Sequence, residues 1–185
     1  MFQTARSILK RDPAAHSLLQ VILTYPGIRA LFWYRIAHQL AQWHQYVLAT
    51  LLSQHAAKIT GITIAPEATI GKRVFIDHGV GTVIGATAII EDDVTILHGV
   101  TLGTRRMTDQ GRRHPYVRQG AFIGANAQIL GPIEIGQYSK VGAGAVVLTN
   151  VPSHLTVVGN PATIAPHPAS KVVTVSFNYQ ATKSR

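Results

Sequence analysis

The chain has 185 residues and no cysteine, which excludes disulfides and a thiolate nucleophile. Lys and Arg number 17 against 8 Asp and Glu, a formal charge of +9, yet the basic residues are dispersed apart from Arg105-Arg106, Arg112-Arg113 and the terminal Lys183 and Arg185. Without an aromatic-interleaved basic stripe this pattern argues against a nucleic-acid partner and suits a polyanionic small ligand at least as well.

The N-terminus, Met1-Phe-Gln-Thr-Ala-Arg-Ser, has neither the apolar core nor the cleavage site of a signal peptide. The most apolar part, Leu18 to Trp43, is interrupted by Pro26-Gly27, Arg29, Arg35 and His38. Such a segment is not expected to span a bilayer, so no membrane partner is expected and the cytoplasm is the expected compartment.

Residues 1–58 read as a short helical segment. Asp12-Pro13 has the form of an N-cap followed by proline, so a helix is expected from there to about Thr24, ending at Tyr25-Pro26-Gly27. A second is expected from about Ile28, with Ile28, Leu31, Phe32, Ile36 and Leu40 at helical spacing, and a third over Tyr46–Lys58. Their apolar stripes are expected to pack helix against helix.

From Ile62 the period changes to six. Aliphatic anchors recur at Ile64, Ile70 and Ile76, at Ile84, Ile90, Ile96 and Leu102, and from Val117 through Ile123, Ile129, Ile135 and Val141 to Val147. Four residues after each anchor stands a small or β-branched residue, from Ala68, Val74 and Val80 to Val151, with Arg106 the exception. Repetition at six residues predicts a parallel β-helix over 59–164. Each hexad supplies a short strand and a corner, and three hexads make one coil. Residues 18 apart then stack at the strand spacing of about 4.8 Å. A 165–185 tail follows.

Two breaks interrupt the repeat. Two residues are inserted around His78-Gly79-Val80-Gly81-Thr82, and a longer insertion forms the loop 104–115. Loops on a rigid scaffold are where sites tend to be built. The register places His78, His98 and Ala125 in one column, one rung apart.

At this point the chain resembles the serine O-acetyltransferases among the hexapeptide-repeat acyltransferases. The resemblance rests on Asp12-Pro-Ala, Ile76-Asp-His-Gly, Gly99-Val-Thr-Leu-Gly103, Gly111-Arg-Arg-His-Pro115, Val141-Gly-Ala-Gly-Ala-Val-Val147 and Val158-Gly-Asn-Pro-Ala162. It implies a mainly β protein: a left-handed parallel β-helix with a short N-terminal α-helical domain. It also implies a homotrimer with sites between subunits, acetyl-CoA as co-substrate without a metal, and L-serine as acceptor on the route to cysteine.

By the resemblance His78 is the general base, a role suited to an imidazole titrating near working pH. Asp77 counts with it among the catalytic residues and lines the amino-acid site, Asp12 reaches the substrate from the helical segment, and Arg113 and His114 meet the substrate carboxylate. Gly103, Gly124, Ala125, Gly142 and Ala143, with Lys140 nearby, mark the CoA groove. For His78, Asp77, Asp12, Arg113 and His114 an ordinary structural role, in a corner, a cap or a solvated loop, is the competing reading.

The chain also departs from the family. The acid that orients the base is replaced by Thr63, and the histidine two residues later by Ala65. His98 stands where the family commonly has Gln, Ala86 where it often has Glu, and the turn after Leu102 lacks its second glycine. Slower turnover, a more alkaline activity profile or a different acceptor are the expected consequences. The C-terminus lacks the isoleucine that relatives insert into a sulfhydrylase, so that complex is not expected. The short helical segment favours a simple trimer. O-acetylation of homoserine or a sugar, a non-catalytic β-helix scaffold, and a zinc site built from His78, His98 and His114 remain as alternatives.

Overall fold

The computed structural model describes residues 2–106, 108 and 111–165. Apart from Ala165, the expected tail lies outside the described residues, and with it the terminus that bears on a sulfhydrylase partner. Four helices come first: α1 (Phe2–Arg11), α2 (Leu18–Thr24), α3 (Pro26–Gln42) and α4 (Tyr46–Thr60).

The start of the helical segment differs from expectation. Asp12 does not cap a helix; α1 precedes it, and its Oδ1 accepts the Ala14 N–H at 2.9 Å in a tight turn. The cap of α2 is Ser17, whose Oγ accepts the Gln20 N–H, while the Gln20 side chain accepts the N–H of His16. This is a near relative of the capping box, and Ser17-x-x-Gln20 was its signal. Pro26 opens α3 at its first turn, and Gly61, with φ 71°, closes α4 in the left-handed conformation.

Fifteen short strands follow among the described residues: β1 (Thr63–Ile64), β2 (Thr69–Ile70), β3 (Phe75–Ile76), β4 (Val83–Ile84), β5 (Ile89–Ile90), β6 (Thr95–Ile96), β7 (Thr101–Gly103), β8 (Tyr116–Val117), β9 (Phe122–Ile123), β10 (Gln128–Leu130), β11 (Glu134–Ile135), β12 (Lys140–Val141), β13 (Val146–Val147), β14 (Thr156–Val158) and β15 (Thr163–Ile164). They form three walls. Strands β1, β4, β7, β10 and β13 stack in the first, β2, β5, β8 and β11 in the second, and β3, β6, β9, β12, β14 and β15 in the third. All neighbours are parallel except β14 and β15.

Phe122 pairs with Lys140, one regular coil of 18 residues away. Thr63 pairs with Val83 and Thr101 with Gln128, so both insertions loop out without disturbing the register of the walls. Every hexad anchor is buried. Each contributes about 2 kcal/mol by removing an aliphatic side chain from water.

The inward small positions agree with the repeat except at the breaks. Val80 was expected to point inward, but it is 64% exposed; the inward place belongs to Thr82, fully buried, whose Oγ1 donates to the Leu97 carbonyl. Before Val117 the buried Pro115 occupies the same place. A two-residue insertion moves the return point of the chain, and spacing alone cannot say which side chain re-enters.

Along the walls, N–H groups donate to the rung above, as Thr63 does to the Thr82 carbonyl. The lowest rung therefore presents carbonyls with no strand beneath. Helix side chains meet them: Ser53 Oγ donates to the Ile64 carbonyl, Tyr34 Oη to Ala68 and Arg35 to Gly71, and the His38 ring is bonded to Pro66 O. The helical segment thus serves as a hydrogen-bonded floor for the coil. Among the described residues no helix is long and apolar enough to cross a membrane.

Candidate active site

The first insertion lies at the edge where the third wall turns into the first. His78 sits at its apex with φ 54°, in the left-handed region, followed by Gly79 at φ 69°. That turn throws the imidazole outward, with its side chain 79% exposed. Asp77 Oδ1 is 3.8 Å from His78 Nε2, a charge neighbour just beyond hydrogen-bond reach. Pairing of Phe75–Ile76 with Thr95–Ile96 carries the register forward, and the His78 and His98 rings meet edge to face at 6.3 Å. Thr63 is exposed on β1 and makes no side-chain hydrogen bond among the described residues.

The helical segment supplies the opposite side of this edge. A Cβ on Gly27 would stand 2.1 Å from the Ile76 carbonyl oxygen, so only glycine lets the start of α3 lie against β3. This contact brings Tyr25 and Pro26 beside Asp77-His78. Asp12, Ala14, Gln20, Thr24, Tyr25, Pro26, Asp77 and His78 together line a cleft of about 290 Å³.

Asp12 is held on both oxygens. Tyr25 Oη donates to Oδ2 at 2.6 Å, and the Ala14 N–H donates to Oδ1. The tyrosine bond, then the backbone bond, keep the Asp12 carboxyl below its ordinary range. The same bond pushes the Tyr25 phenol up to about 12. Sequence reasoning missed Tyr25, because its link to Asp12 exists only once α2 and α3 are docked.

Arg113 and His114 lie elsewhere on the same chain. The long loop returns along the corner between the first and second walls, where the His114 ring packs over Gly85 with only 7% exposure. Its Nδ1 is 2.8 Å from Thr87 Oγ1 and 3.2 Å from the Thr87 amide nitrogen. Burial, then the Arg113 charge, push the His114 imidazole down. His78 and His114 thus occupy different edges of the prism, which overturns a zinc site shared by His78, His98 and His114 within one chain. Among the described residues no group of three or more His, Cys, Asp or Glu is arranged to hold a metal.

The residues expected to mark the CoA groove divide in the same way. Pairing of Lys140–Val141 with Phe122–Ile123 stacks Ala143 over Ala125, in the column that begins with His78 and His98. Gly124 lies directly under Ala143, whose nitrogen would be 2.6 Å from any added Cβ, and Gly142 adjoins them. Lys140 is exposed at the start of β12. Gly103 is at the far end of β7, four residues beyond the corner at Gly99 and so roughly 13 Å away along the first wall. One corner therefore carries the His78 imidazole, two carboxylates and a column of small residues; the other carries Arg113, His114 and Gly103.

The chain is similar to known proteins in both sequence and fold. The family described as "Bacterial transferase hexapeptide (six repeats)" matches residues 114–149. A serine acetyltransferase from Bacillus subtilis is 48% identical over 166 residues, covering 90% of this chain and 76% of the relative. The crystal structure of a Brucella abortus serine acetyltransferase in complex with coenzyme A superposes with a TM-score of 0.85 at 43% identity, covering 87% of this chain and 64% of that one. A Neisseria gonorrhoeae serine acetyltransferase in complex with serine gives 0.83 at 40% identity over 87% of this chain and 66% of that one. The chain thus spans slightly under two thirds of these structurally characterised neighbours. With close sequence identity along nine-tenths of its length and three walls of stacked hexads, the chain belongs to the serine acetyltransferase family and has its left-handed parallel β-helix.

Proposed function

We propose that this chain transfers an acetyl group from acetyl-CoA to the hydroxyl of L-serine, forming O-acetylserine and CoA for cysteine biosynthesis. The observation that carries the reading is a cleft in which one imidazole, His78, shares space with two carboxylates, Asp12 and Asp77. In a protein of net charge +9 such a cleft selects a cation. The ammonium of an amino acid fits it, whereas a sugar offers no charge to match. The relatives in complex with coenzyme A and with serine support the same pair of substrates.

The chemistry follows from the placement. The serine oxygen attacks the thioester carbonyl carbon as the His78 imidazole takes the hydroxyl proton. The tetrahedral intermediate collapses with cleavage of the C–S bond, and the imidazolium returns its proton to the departing sulfur. Asp77, 3.8 Å from Nε2, stabilises the transient imidazolium without fixing the ring by a hydrogen bond. Asp12 holds the ammonium. Gly124, Ala125, Gly142 and Ala143 leave room for a pantetheine arm along the corner, and Lys140 offers a cation to its phosphates.

Arg113 and His114 reach this cleft from a neighbouring copy. Within one chain they lie at a different corner, and a homotrimer with its sites between subunits brings the two corners face to face. The Arg113 guanidinium then meets the serine carboxylate.

The deciding experiment measures CoA thiol released from acetyl-CoA with L-serine, homoserine and a panel of sugars. Release with L-serine, lowered about 10²–10⁴-fold in His78→Ala, is the expected result. Release that is absent with L-serine, or undiminished in the variant, rejects the proposal.

A further inference from the structure

Thr87 sits at the corner between the first and second walls, between β4 and β5, and is not among the residues implied by the family resemblance. Its single hydroxyl gathers the end of the long loop. Oγ1 accepts the N–H of Arg113 at 2.9 Å and that of His114 at 3.1 Å, and it lies 2.8 Å from His114 Nδ1. The Thr87 backbone N–H also donates to Nδ1, at 3.2 Å.

These contacts fix where the protons are. A backbone N–H aimed at Nδ1 requires that nitrogen to be an acceptor. A hydroxyl oxygen already accepting two N–H groups has its own proton free, and Nδ1 lies within reach to receive it. The neutral ring therefore carries its proton on Nε2. Burial and the adjoining Arg113 charge favour this neutral ring. Among the described residues Nε2 has no protein hydrogen-bond partner and no buried side-chain nitrogen or oxygen is left unsatisfied, so Nε2 keeps access to solvent. The slot over Gly85 sets the ring's direction: a Cβ there would stand 2.0 Å from Cδ2 and Nε2.

We infer that Thr87 is a positioning residue that locks His114 as a neutral Nε2–H donor aimed at an anionic oxygen of the acceptor substrate. This deepens the reading above and rests on it, since the anion is the serine carboxylate that Arg113 also meets. A neutral donor beside an arginine adds direction without a second cation. Thr87 does not touch substrate; it sets the polarity and orientation of the group that does.

The test joins a spectrum with kinetics. Wild-type protein with ¹⁵N-labelled histidine, its His114 signals assigned through His114→Gln, shows Nε2 protonated and Nδ1 bare. Thr87→Val keeps the shape of the side chain but lacks the hydroxyl. It raises KM for L-serine about tenfold, the worth of one hydrogen bond to a charged group, with kcat and the KM for acetyl-CoA changed less than about twofold. Thr87→Ser restores the wild-type values. A proton on His114 Nδ1 in the wild type overturns the inference even if Thr87→Val fails to fold, as does an unchanged KM for L-serine in a folded Thr87→Val. If wild-type protein shows the expected tautomer but releases no CoA with L-serine, the assigned reaction fails and the His114 geometry stands.

Discussion

Asp12 shows how little of a side chain's role is settled by its neighbours in sequence. Asp-Pro favours a helix cap, yet the carboxylate is committed to a turn amide and to the Tyr25 hydroxyl. The bond to Tyr25 is the main reason the Asp12 carboxyl titrates low. A depressed carboxyl stabilises the fold above its unfolded value of 3.8 and loses that contribution as pH falls through the folded value. Tyr25→Phe keeps the ring against Phe75, whose centroid is 6.4 Å away, and removes only the hydroxyl. The Asp12 carboxyl should then titrate higher, measurable by carbon NMR, and KM for L-serine should rise about 3- to 10-fold while His78 still supports turnover. An unmoved Asp12 titration would show that the phenol does not control it. His78 was legible as a candidate because it stands on an insertion with an acid before it. Tyr25 and Thr87 were not legible, because each acts through a tertiary contact, 13 and 27 residues along the chain.

The hexad is legible because its rule is volumetric. Three walls converge on the inward corner positions, and only small or β-branched side chains fit between them. Ala127, fully buried at such a corner, tests this. Ala127→Leu should destabilise the coil by about 1–3 kcal/mol or more, read from urea denaturation, because flanking rungs leave no direction in which to relax. Insertions escape the rule. Periodicity located both breaks, but Val80 was assigned the inward place that Thr82 occupies, since an extra pair of residues leaves open which one re-enters. The helices were less legible still: α1 has no acidic residue in its first turn, and its reason to exist is the surface it buries. Ala5 and Ile8 pack with Val21, Ile28 and Phe75, a satellite core that a single-segment reading cannot see.

For the whole molecule, the proposed function divides the site between two corners and so makes association part of the chemistry. Subunits carrying His78→Ala have one corner impaired and those carrying Arg113→Ala the other. Mixing the two under conditions that allow exchange should leave about a quarter of all interfaces with both corners intact, and L-serine-dependent CoA release should return accordingly. Activity that stays at the level of the separate variants would rule out a site completed by Arg113 of a neighbouring copy. The two ends of the coil have a different consequence. Below, hydroxyls, a guanidinium and an imidazole engage the carbonyls of the first rung; above, β15 runs against the direction of β14. A stack of like strands is a template that a second stack could extend. Among the described residues, the engaged polar underside and the reversed strand on top of the third wall both disfavour end-to-end addition of another parallel strand there.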